Sequence, residues 1–539
     1  MKRIIFTLSS FIIMQTLFAT DFIVDGIKYS TTGADSVTVS ANSYTGNIII
    51  PSTVVNSTKI YTVSSISDGS FYNCSGLTSV FIPSSVTLIG RYAFIECKNL
   101  ININIDVNNP IYLSINGVVF SKDKSTIICC PNGKQSQYVI PNSVVSIKEG
   151  AFSYCKKLTS IVIPNTVTII GDEAFENCIG LTSITIPSSV ISIGKFPFIS
   201  CSGLMFVGVD VLNSKYTSVD GVLYTKNKDV IVYFPVGRNN TSYIIPNTVT
   251  SIGDWGFTES RLTSVFIPNS VISIGRFAFW GCNSLTSIDL HDSITFIGDH
   301  AFVNCTKLSS VTIPSSIKSV EEYTFYNCNS LTSIVIPNSV KLIKSSAFSR
   351  CSSLSSCVIP DSVTLIGETA FYGCFALTTI IIPKLVKSIG ESAFFGCRGL
   401  NSFIVNNSDP IDLSLIQDVF YNVNKTTCIL YVPIGSKPAY QAAVQWRDFT
   451  NIVEFDPTSV SIVQKPNISI VSNSSNGLLD IKGLENSANI SIYNLQGREI
   501  FTRTVNPKEQ ISINSFPRGV YIIKVKSKED AFETKLIKQ

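Results

Sequence analysis

Short runs of alternating apolar and polar residues recur along most of the chain and predict a repeated β-strand. The commonest form is L-x-x-I-x-I-P, as in Leu331, Ile334, Ile336 and Pro337. Alternate residues of a strand point to opposite faces, so Ile334 and Ile336 are expected on one buried face. Pro337 should end the strand, because proline has no N–H to donate to a neighbouring strand.

A second apolar cluster follows each of these strands and indicates how the chain turns back. Behind Pro337 come Val340 and Ile343, and then the pair Ala347 and Phe348. The Phe348 ring is expected to close the coil from its convex side. One coil cannot bury its own apolar face, whereas a stack of coils can.

The spacing of the repeats is regular and predicts a solenoid. Pro314, Pro337, Pro360 and Pro383 follow one another at intervals of 23 residues. Ser260 stands in a repeat that is one residue short, at a position where the other repeats have cysteine. A fixed period in the twenties is typical of solenoid proteins. The cysteines of this column are Cys74, Cys97, Cys155, Cys178, Cys201, Cys282, Cys305, Cys328, Cys351, Cys374 and Cys397.

Two repeats are longer than the rest, with additions near residues 107–140 and 211–245. The additions contain similar segments, GVVFSKDKSTIICCPNG and GVLYTKNKDVIVYFPVG. Each segment has an apolar run on both sides of a polar turn, which predicts a β-hairpin inserted into the solenoid.

Both ends of the repeat array differ from its middle and are expected to cap it, since an open end exposes an apolar layer and a free strand edge. Residues 21–59 alternate as β-strands do and predict an N-terminal cap. Residues 403–456 predict a strand and then a short helix, with Ser436 as the N-terminal cap and Pro438 in the first turn.

The two termini of the chain predict export and a separate small domain. Lys2 and Arg3 precede an apolar run, which is typical of a signal peptide and assigns residues 1–20 to it. No later apolar stretch reaches the ~20 residues that a membrane-spanning helix needs. Residues 457–467 predict a linker, and the regularly spaced strands of 468–539 predict a small β-sandwich.

The repeat unit AFxxCxxLTSIxIPxSVxxIG resembles the BspA-like leucine-rich repeat family of bacterial and protozoan surface proteins. The resemblance covers about residues 60–455, with the repeats themselves at 60–402. It implies a mostly β fold, a leucine-rich-repeat solenoid of about 23-residue coils with hairpin insertions. It also implies binding rather than catalysis, since characterised relatives are adhesins for extracellular matrix proteins.

The segments ISIYNLQGRE, FPRGVYIIKV and KLIKQ resemble the C-terminal sorting domain of type IX secretion cargo in Bacteroidetes. The resemblance implies Sec export followed by type IX secretion, with the protein at the outer-membrane surface or outside the cell. It makes the type IX machinery a partner and Gly519, Tyr521, Lys535 and Lys538 the sorting signal.

Composition limits the chemistry that this chain can perform. Hydrophobic residues are 45% and charged residues only 14%, so a large core is expected under a surface of Ser, Thr and Asn. The net charge is only +4. The basic residues do not cluster as they do in proteins that bind nucleic acid. No catalytic or cofactor motif is visible, and the prediction is a protein that is not an enzyme and needs no cofactor. A catalytic pair of carboxylates for glycoside hydrolysis stays open, because its two members can lie far apart in the chain. Acidic residues are few in the repeats, however, and occupy no fixed position of the repeat unit.

The cysteine column is predicted to be buried thiol rather than disulfide. Equivalent residues of stacked coils lie about 4.8 Å apart, whereas a disulfide needs Cβ atoms about 3.8 Å apart. Cys129 and Cys130 leave a redox pair open, but Tyr233 and Phe234 hold the same place in the second hairpin, which favours simple apolar filling.

One region leaves a metal site open. His291 and His300 lie near Asp289, Asp292 and Asp299 in the sequence. The simpler interpretation is the polar edge of one irregular coil, and no metal site is predicted.

The side chains that point away from the core are the candidate binding residues. One outward position of each strand is nearly always Ser, as at Ser333, and the other varies. We call the variable set the outward column: Phe81, Val162, Thr185, Phe266, Thr312, Val335, Val358 and Ile381. An exposed apolar stripe often marks an interaction site, although strands favour β-branched residues for their own sake.

Two functions follow from this pattern. The first is a surface-displayed or secreted adhesin that binds a host matrix protein, a glycan or another cell through the solenoid. The alternative is a structural spacer or surface-layer component without a specific ligand. The sequence does not fix the ligand or the oligomeric state.

Overall fold

The structure is a computed structural model that describes residues 20–134, 136–455, 469–473, 478–482, 487–494, 499–507, 509–513, 515–516, 519–526 and 531–538. The predicted linker at 457–467 and the predicted signal peptide, except its last residue, lie outside the described residues. The domain boundaries given above therefore stay predictions.

The repeats form a solenoid in which the longer strand of each coil pairs in parallel with that of the next coil. Equivalent residues stand side by side, so that Ser333 pairs with Ser310 and Ser356. The strands are Thr45–Ile49, Gly76–Ile82 and Asn102–Ile105; Ser136–Val139 and Leu158–Val162; Ser183–Ile186 and Phe206–Val209; and then one ten-stranded sheet, Ser242–Ile244, Ser264–Phe266, Ser287–Ile288, Ser310–Thr312, Ser333–Val335, Ser356–Val358, Thr379–Ile382, Ser402–Val405, Ile429–Pro433 and Asn451–Phe455.

The second apolar cluster of each coil forms a short strand of its own, which also pairs in parallel with its neighbours. Ile343 is fully buried in this series, as the sequence pattern requires. The strands are Lys59–Ile66 and Leu88–Ile89; Ser146–Ile147, Ile169–Ile170 and Ser192–Ile193; Ser251–Ile252, Ser273–Ile274 and Phe296–Ile297; and Ser319–Val320, Leu342–Ile343, Leu365–Ile366 and Ser388–Ile389.

A column of phenylalanine rings fills the coils opposite the longer strands, and its position confirms the prediction for Phe348. That ring is fully buried and stacks between Phe325 and Phe371, with centroid distances of 5.7 and 5.4 Å. Stacked aromatic pairs add about 0.5–1.5 kcal/mol to the area that they bury. The column therefore ties each coil to the next.

Backbone hydrogen bonds at the corner that carries this column link the coils a third time. Tyr323, Phe325 and Asn327 donate their N–H groups to carbonyls of the next coil at 2.8–3.0 Å. Tyr323 and Asn327 have positive φ angles of 55° and 61°. These two left-handed residues lie on either side of Phe325, and the N–H groups of all three alternate residues point towards the next coil.

The two inserted hairpins are interior layers of the stack and not appendages. In the first hairpin layer Val119 packs into the core before it, while Val118 and Phe120 pack into the core after it. In the second hairpin layer, Leu223 packs into the core before it and Tyr224 packs into the core after it. The first layer consists of Tyr112–Ile115, Val118–Ser121 and Thr126–Cys129, and the second of Tyr216–Val219, Val222–Thr225 and Val230–Tyr233.

Both ends of the solenoid carry strands that extend its sheets. At the N-terminal end, Asp21–Val24, Ile27–Thr31, Ser36–Val39 and Thr53–Asn56 form a sheet with Lys59–Ile66. At the C-terminal end lie the helix Lys437–Ala442 and the 3-10 turn Trp446–Asp448, whose Trp446 is fully buried.

The predicted role of the Ser436 side chain was wrong. Ser436 is the N-cap residue and Pro438 lies in the first turn, but the Ser436 hydroxyl makes no capping hydrogen bond. The carboxylate of Glu454 instead accepts the N–H groups of Gly435 and Lys437, each at 3.0 Å. The acceptor comes from the next strand, which the local sequence did not indicate.

The C-terminal part of the chain forms two antiparallel sheets with one apolar core. Leu479 and Ile511 of one sheet and Ile490 and Ile523 of the other belong to the same buried cluster. The predicted β-sandwich stays a prediction. The strands are Ser469–Asn473, Leu478–Lys482 and Gln510–Ser512 in the first sheet, and Glu499–Val505, Ala488–Asn494, Gly519–Lys526 and Ala531–Lys538 in the second.

Candidate binding surface

The outward column lies on the face of the longer strands that points away from the core. Phe266 is 61% exposed and Val335 is 55% exposed, which is high for residues inside strands. Val162, Thr185, Thr312 and Val358 are also exposed, whereas Phe81 and Ile381 are half-buried.

The structure divides the outward column into separate pieces. Phe266, Thr312, Val335, Val358 and Ile381 belong to the ten-stranded sheet, where Thr312, Val335 and Val358 stand side by side. Phe81 lies in a three-stranded sheet before the first hairpin layer, and Val162 and Thr185 lie in sheets between the two layers. The ten-stranded sheet is therefore the largest continuous candidate surface among the described residues.

Sequence reasoning missed several members of this surface. Ile244 pairs with Phe266 and is 72% exposed, although it follows the second hairpin layer and lacks the leucine of the repeat. Tyr431 and Val453 continue the column into the C-terminal cap. The dipeptide Ile-Pro at Ile245 could have identified Ile244 as an outward residue, because it ends the strand there as it does elsewhere.

A row of hydroxyl groups lies beside the outward column and is free to contact a ligand. Among the described residues, the side chains of Ser287, Ser310 and Ser333 are exposed and make no hydrogen bond. The neighbouring threonines differ, since the Thr332 hydroxyl donates to the carbonyl of Ser309 and so serves the solenoid. The face thus presents apolar side chains next to unused donors and acceptors.

The cysteine column faces inwards, and its predicted burial is confirmed. All fifteen cysteines are free thiols. Cys328 donates its S–H to the carbonyl of Phe302 at 3.2 Å, and Cys351 to that of Phe325 at 3.1 Å. The thiols therefore act as hydrogen-bond donors between coils and not only as small apolar groups, which the spacing of the sequence could not show.

Burial also makes these thiols poor nucleophiles. It raises the pKa of Cys97, Cys201 and Cys397 to about 12. Only the thiolate is reactive, so such groups are inert near neutral pH. Burial likewise raises the pKa of Cys129, which packs against the core before the first hairpin layer while Cys130 packs into the core after it.

The histidine region is occupied by structural contacts. Nε2 of His291 is 2.8 Å from the carbonyl oxygen of Pro268. The ring of His300 stacks between Phe277 and Tyr323, and its Nδ1 lies 3.1 Å from Asp299. Within the described part of the chain, no three His, Cys, Asp or Glu side chains are arranged to hold a metal ion.

The predicted sorting residues lie on two neighbouring strands. Gly519 pairs with Lys538, and Tyr521 lies in the same strand as Gly519. Lys535 is in the strand of Lys538 and pairs with Ile522. Their role in sorting stays a prediction.

Comparison with protein families gives two matches. The family described as BspA type Leucine rich repeat region matches residues 50–136, 127–217, 233–351 and 318–434. The family described as Secretion system C-terminal sorting domain matches residues 469–539. The second match indicates export by type IX secretion to the cell surface or the extracellular space. No described helix is both long and apolar enough to span a bilayer.

Several solved structures are similar to this chain. A leucine rich cell surface protein from Faecalibacterium prausnitzii is 28% identical over 72% of this chain and 94% of its own, with a TM-score of 0.39. A leucine-rich repeat protein from Bacteroides ovatus is 26% identical over 81% and 100%, with a TM-score of 0.40. One from Eubacterium ventriosum is 24% identical over 69% and 92%, with a TM-score of 0.45. Comparison with curated proteins gives no match.

Proposed function

Because the chain belongs to the BspA-type leucine-rich repeat family and carries a secretion sorting domain, we propose that it is an exported adhesin. Its partner is a host matrix protein, a glycan or a neighbouring cell. The binding face is the ten-stranded sheet with its part of the outward column.

The observation that carries this proposal is the presence of exposed apolar side chains on one face of the ten-stranded sheet, at Phe266, Val335 and Val358. Exposure of these apolar groups to water is unfavourable, and the fold does not bury them. The free hydroxyls of Ser310 and Ser333 beside them supply polar contacts. Interfaces that combine an apolar centre with hydrogen-bonding groups at the rim are common in protein recognition.

The parallel register supports the same proposal. Since equivalent side chains of neighbouring coils stand about 4.8 Å apart, the sheet holds a long and rigid array rather than a single pocket. Such an array suits an extended partner that makes many similar contacts. Individually weak contacts then add up without a large loss of conformational freedom in the protein.

A binding survey tests the proposal. The full chain is applied to a panel of immobilised extracellular matrix proteins and glycans, together with the variant Phe266→Ser/Val335→Ser/Val358→Ser. We expect the wild type to bind at least one member and the variant to lose at least about tenfold in affinity, as for removal of about 1.4 kcal/mol of contact. The control Lys307→Ser changes an exposed residue outside the column.

The alternative is a structural spacer without a ligand. It predicts that neither protein binds any member of the panel, or that the variant binds as well as the wild type. Circular dichroism of the variant separates a loss of contact from a loss of fold.

A further inference from the structure

One coil of the solenoid lacks a residue at its edge, and the gap leaves a recess. Leu285 follows Phe279 by six positions in a regular coil, where the N–H of Leu285 donates to the carbonyl of Cys282 at 3.1 Å. In the short coil, Leu262 follows Phe257 by only five positions. The missing position falls directly after Ser260, at the corner next to the cysteine column.

The recess has a volume of about 530 Å³, within the range of small-molecule sites. We call it the Trp280 recess. Gly281 also lines it, and a Cβ at this residue would lie only 3.3 Å from the Glu259 side chain. Its principal lining side chains are Glu259, Arg261, Trp280, Asn283, Asn304 and Asn327.

Trp280 differs from the other two tryptophans of the chain. Trp446 is fully buried, and Trp255 stacks on Phe277 with a centroid distance of 3.8 Å. Trp280 is half-buried, and among the described residues no ring stacks on it and its indole N–H donates no hydrogen bond. It therefore presents a partly exposed aromatic ring on which no other described ring stacks.

The polar groups around Trp280 are only partly engaged. Asn327 donates to Oδ1 of Asn304 at 2.8 Å, which leaves the Asn304 amide N–H₂ without a partner in the described structure. Arg261 is exposed and forms no ion pair with any described residue. Glu259 accepts the N–H and hydroxyl of Ser200 at 2.8 and 3.0 Å, which fixes its carboxylate at the rim.

This combination favours a sugar over other ligands. A pyranose ring presents an apolar C–H face, which packs on an aromatic side chain, and hydroxyls around its edge. Amide, guanidinium and carboxylate groups pair with those hydroxyls as donors and acceptors. One cation and one carboxylate leave the recess without net charge, so no charged group is required on the ligand.

We propose that the Trp280 recess is a binding subsite for a neutral oligosaccharide. The chain then carries a second site, apart from the outward column and independent of the function proposed for it. The site is open along the solenoid edge, which allows the oligosaccharide to extend beyond the sugar that packs on Trp280.

Isothermal titration of the full chain tests this proposal with four neutral probes: cellohexaose, xylohexaose, mannohexaose and N-acetylchitohexaose. We expect at least one to bind saturably, and Trp280→Ala to weaken that binding at least about tenfold, as for loss of an aromatic contact. Asn304→Ala should weaken it less and leave the indole in place. The matched control Trp255→Phe should bind as the wild type does, because the faces of Trp255 are already covered.

Three results would overturn the proposal. None of the neutral probes binds; or Trp280→Ala binds as well as the wild type; or only sialyllactose, added as an acidic probe, binds. The variant Phe266→Ser/Val335→Ser/Val358→Ser should keep its sugar binding, so failure at this site and failure of the proposed adhesin face are separable.

Discussion

The two hairpin layers interrupt the solenoid in the same way on one side and in different ways on the other. On the strand side both layers use an asparagine clamp. The Asn109 amide donates to the carbonyls of Pro83 and Val86, and Asn213 makes the same two bonds to Pro187 and Val190.

On the convex side the side-chain contacts that span the two layers differ. Among the described residues, the gap across the first layer is bridged by polar groups alone, with Arg91 paired to Glu149 and the Tyr92 hydroxyl bonded to Glu173. The gap across the second layer is closed by the rings of Phe196 and Trp255, together with the hydrogen bonds from Ser200 to Glu259.

The difference shows which parts of a repeat are constrained. Where the hairpin must satisfy backbone groups at a sheet edge, only one side chain has the right donors and acceptors in the right place. Where two coils must merely be bridged across a gap, an ion pair and an aromatic contact are equally acceptable. We expect that removing a contact of the first kind lowers the free energy of unfolding strongly and equally at the two layers. Removing a contact of the second kind should lower it less, and by different amounts at the two layers.

The largest effect is expected at the asparagine clamps. Asn109→Ala and Asn213→Ala should each lower the free energy of unfolding by about 3 kcal/mol, because each leaves buried carbonyls and N–H groups unpaired. Urea denaturation measures the change. The neighbouring exposed residue serves as the control, and Asn108→Ala should cost less than about 0.5 kcal/mol. A large loss of unfolding free energy at one layer with none at the other would show that the two asparagine clamps are not equivalent.

A smaller and unequal effect is expected on the convex side. Trp255→Ala should cost about 2 kcal/mol through lost aromatic packing, with little dependence on salt. Arg91→Gln should cost less. Its effect should be smaller in 0.5 M NaCl than in 0.05 M NaCl, because salt screens the attraction between exposed charges. Thermal unfolding at both ionic strengths gives the comparison, and an equally salt-sensitive Trp255→Ala would contradict it.

The cysteine column should lose stability in alkali at both layers. Burial raises the pKa of Cys97 and Cys201 to about 12 from 9.0, so the folded state holds the protonated thiol more firmly than the unfolded state. This contribution is complete below the unfolded pKa and disappears as pH rises from 9 towards 12. Unfolding free energies across this pH range should fall less steeply in Cys97→Ala/Cys201→Ala. An identical slope in that variant would show that the two thiols do not titrate as described.

Much of the solenoid could be predicted from the sequence because each coil repeats the same physical solution. Ile334, Ile336 and Phe348 are buried where the period placed them. The outward position of Val335 followed from strand alternation alone. These features depend on residues close together in the sequence.

The rest depends on contacts between distant residues. The Trp280 recess needs the short coil and the next coil together, and the Glu259–Ser200 bond joins residues 59 positions apart. The division of the outward column could not be read from a strand pattern either, since it arises from how the hairpin layers end the sheets. The cap of the C-terminal helix likewise depends on a contact between distant residues, because Glu454 and not Ser436 accepts the N–H groups at its start.

We infer that the exposed side of each strand binds a partner while the buried side stabilises the fold. Val335 and Val311 test it directly, because they are valines on opposite faces of neighbouring strands in the ten-stranded sheet, 55% and 6% exposed. Each is changed to serine in the full chain, and melting temperature and binding to the panel of matrix proteins and glycans are measured on the same preparations. We predict that Val335→Ser keeps the melting temperature and weakens binding, while Val311→Ser lowers the melting temperature. Full binding by Val335→Ser, or a fall in its melting temperature equal to that of Val311→Ser, would contradict the account.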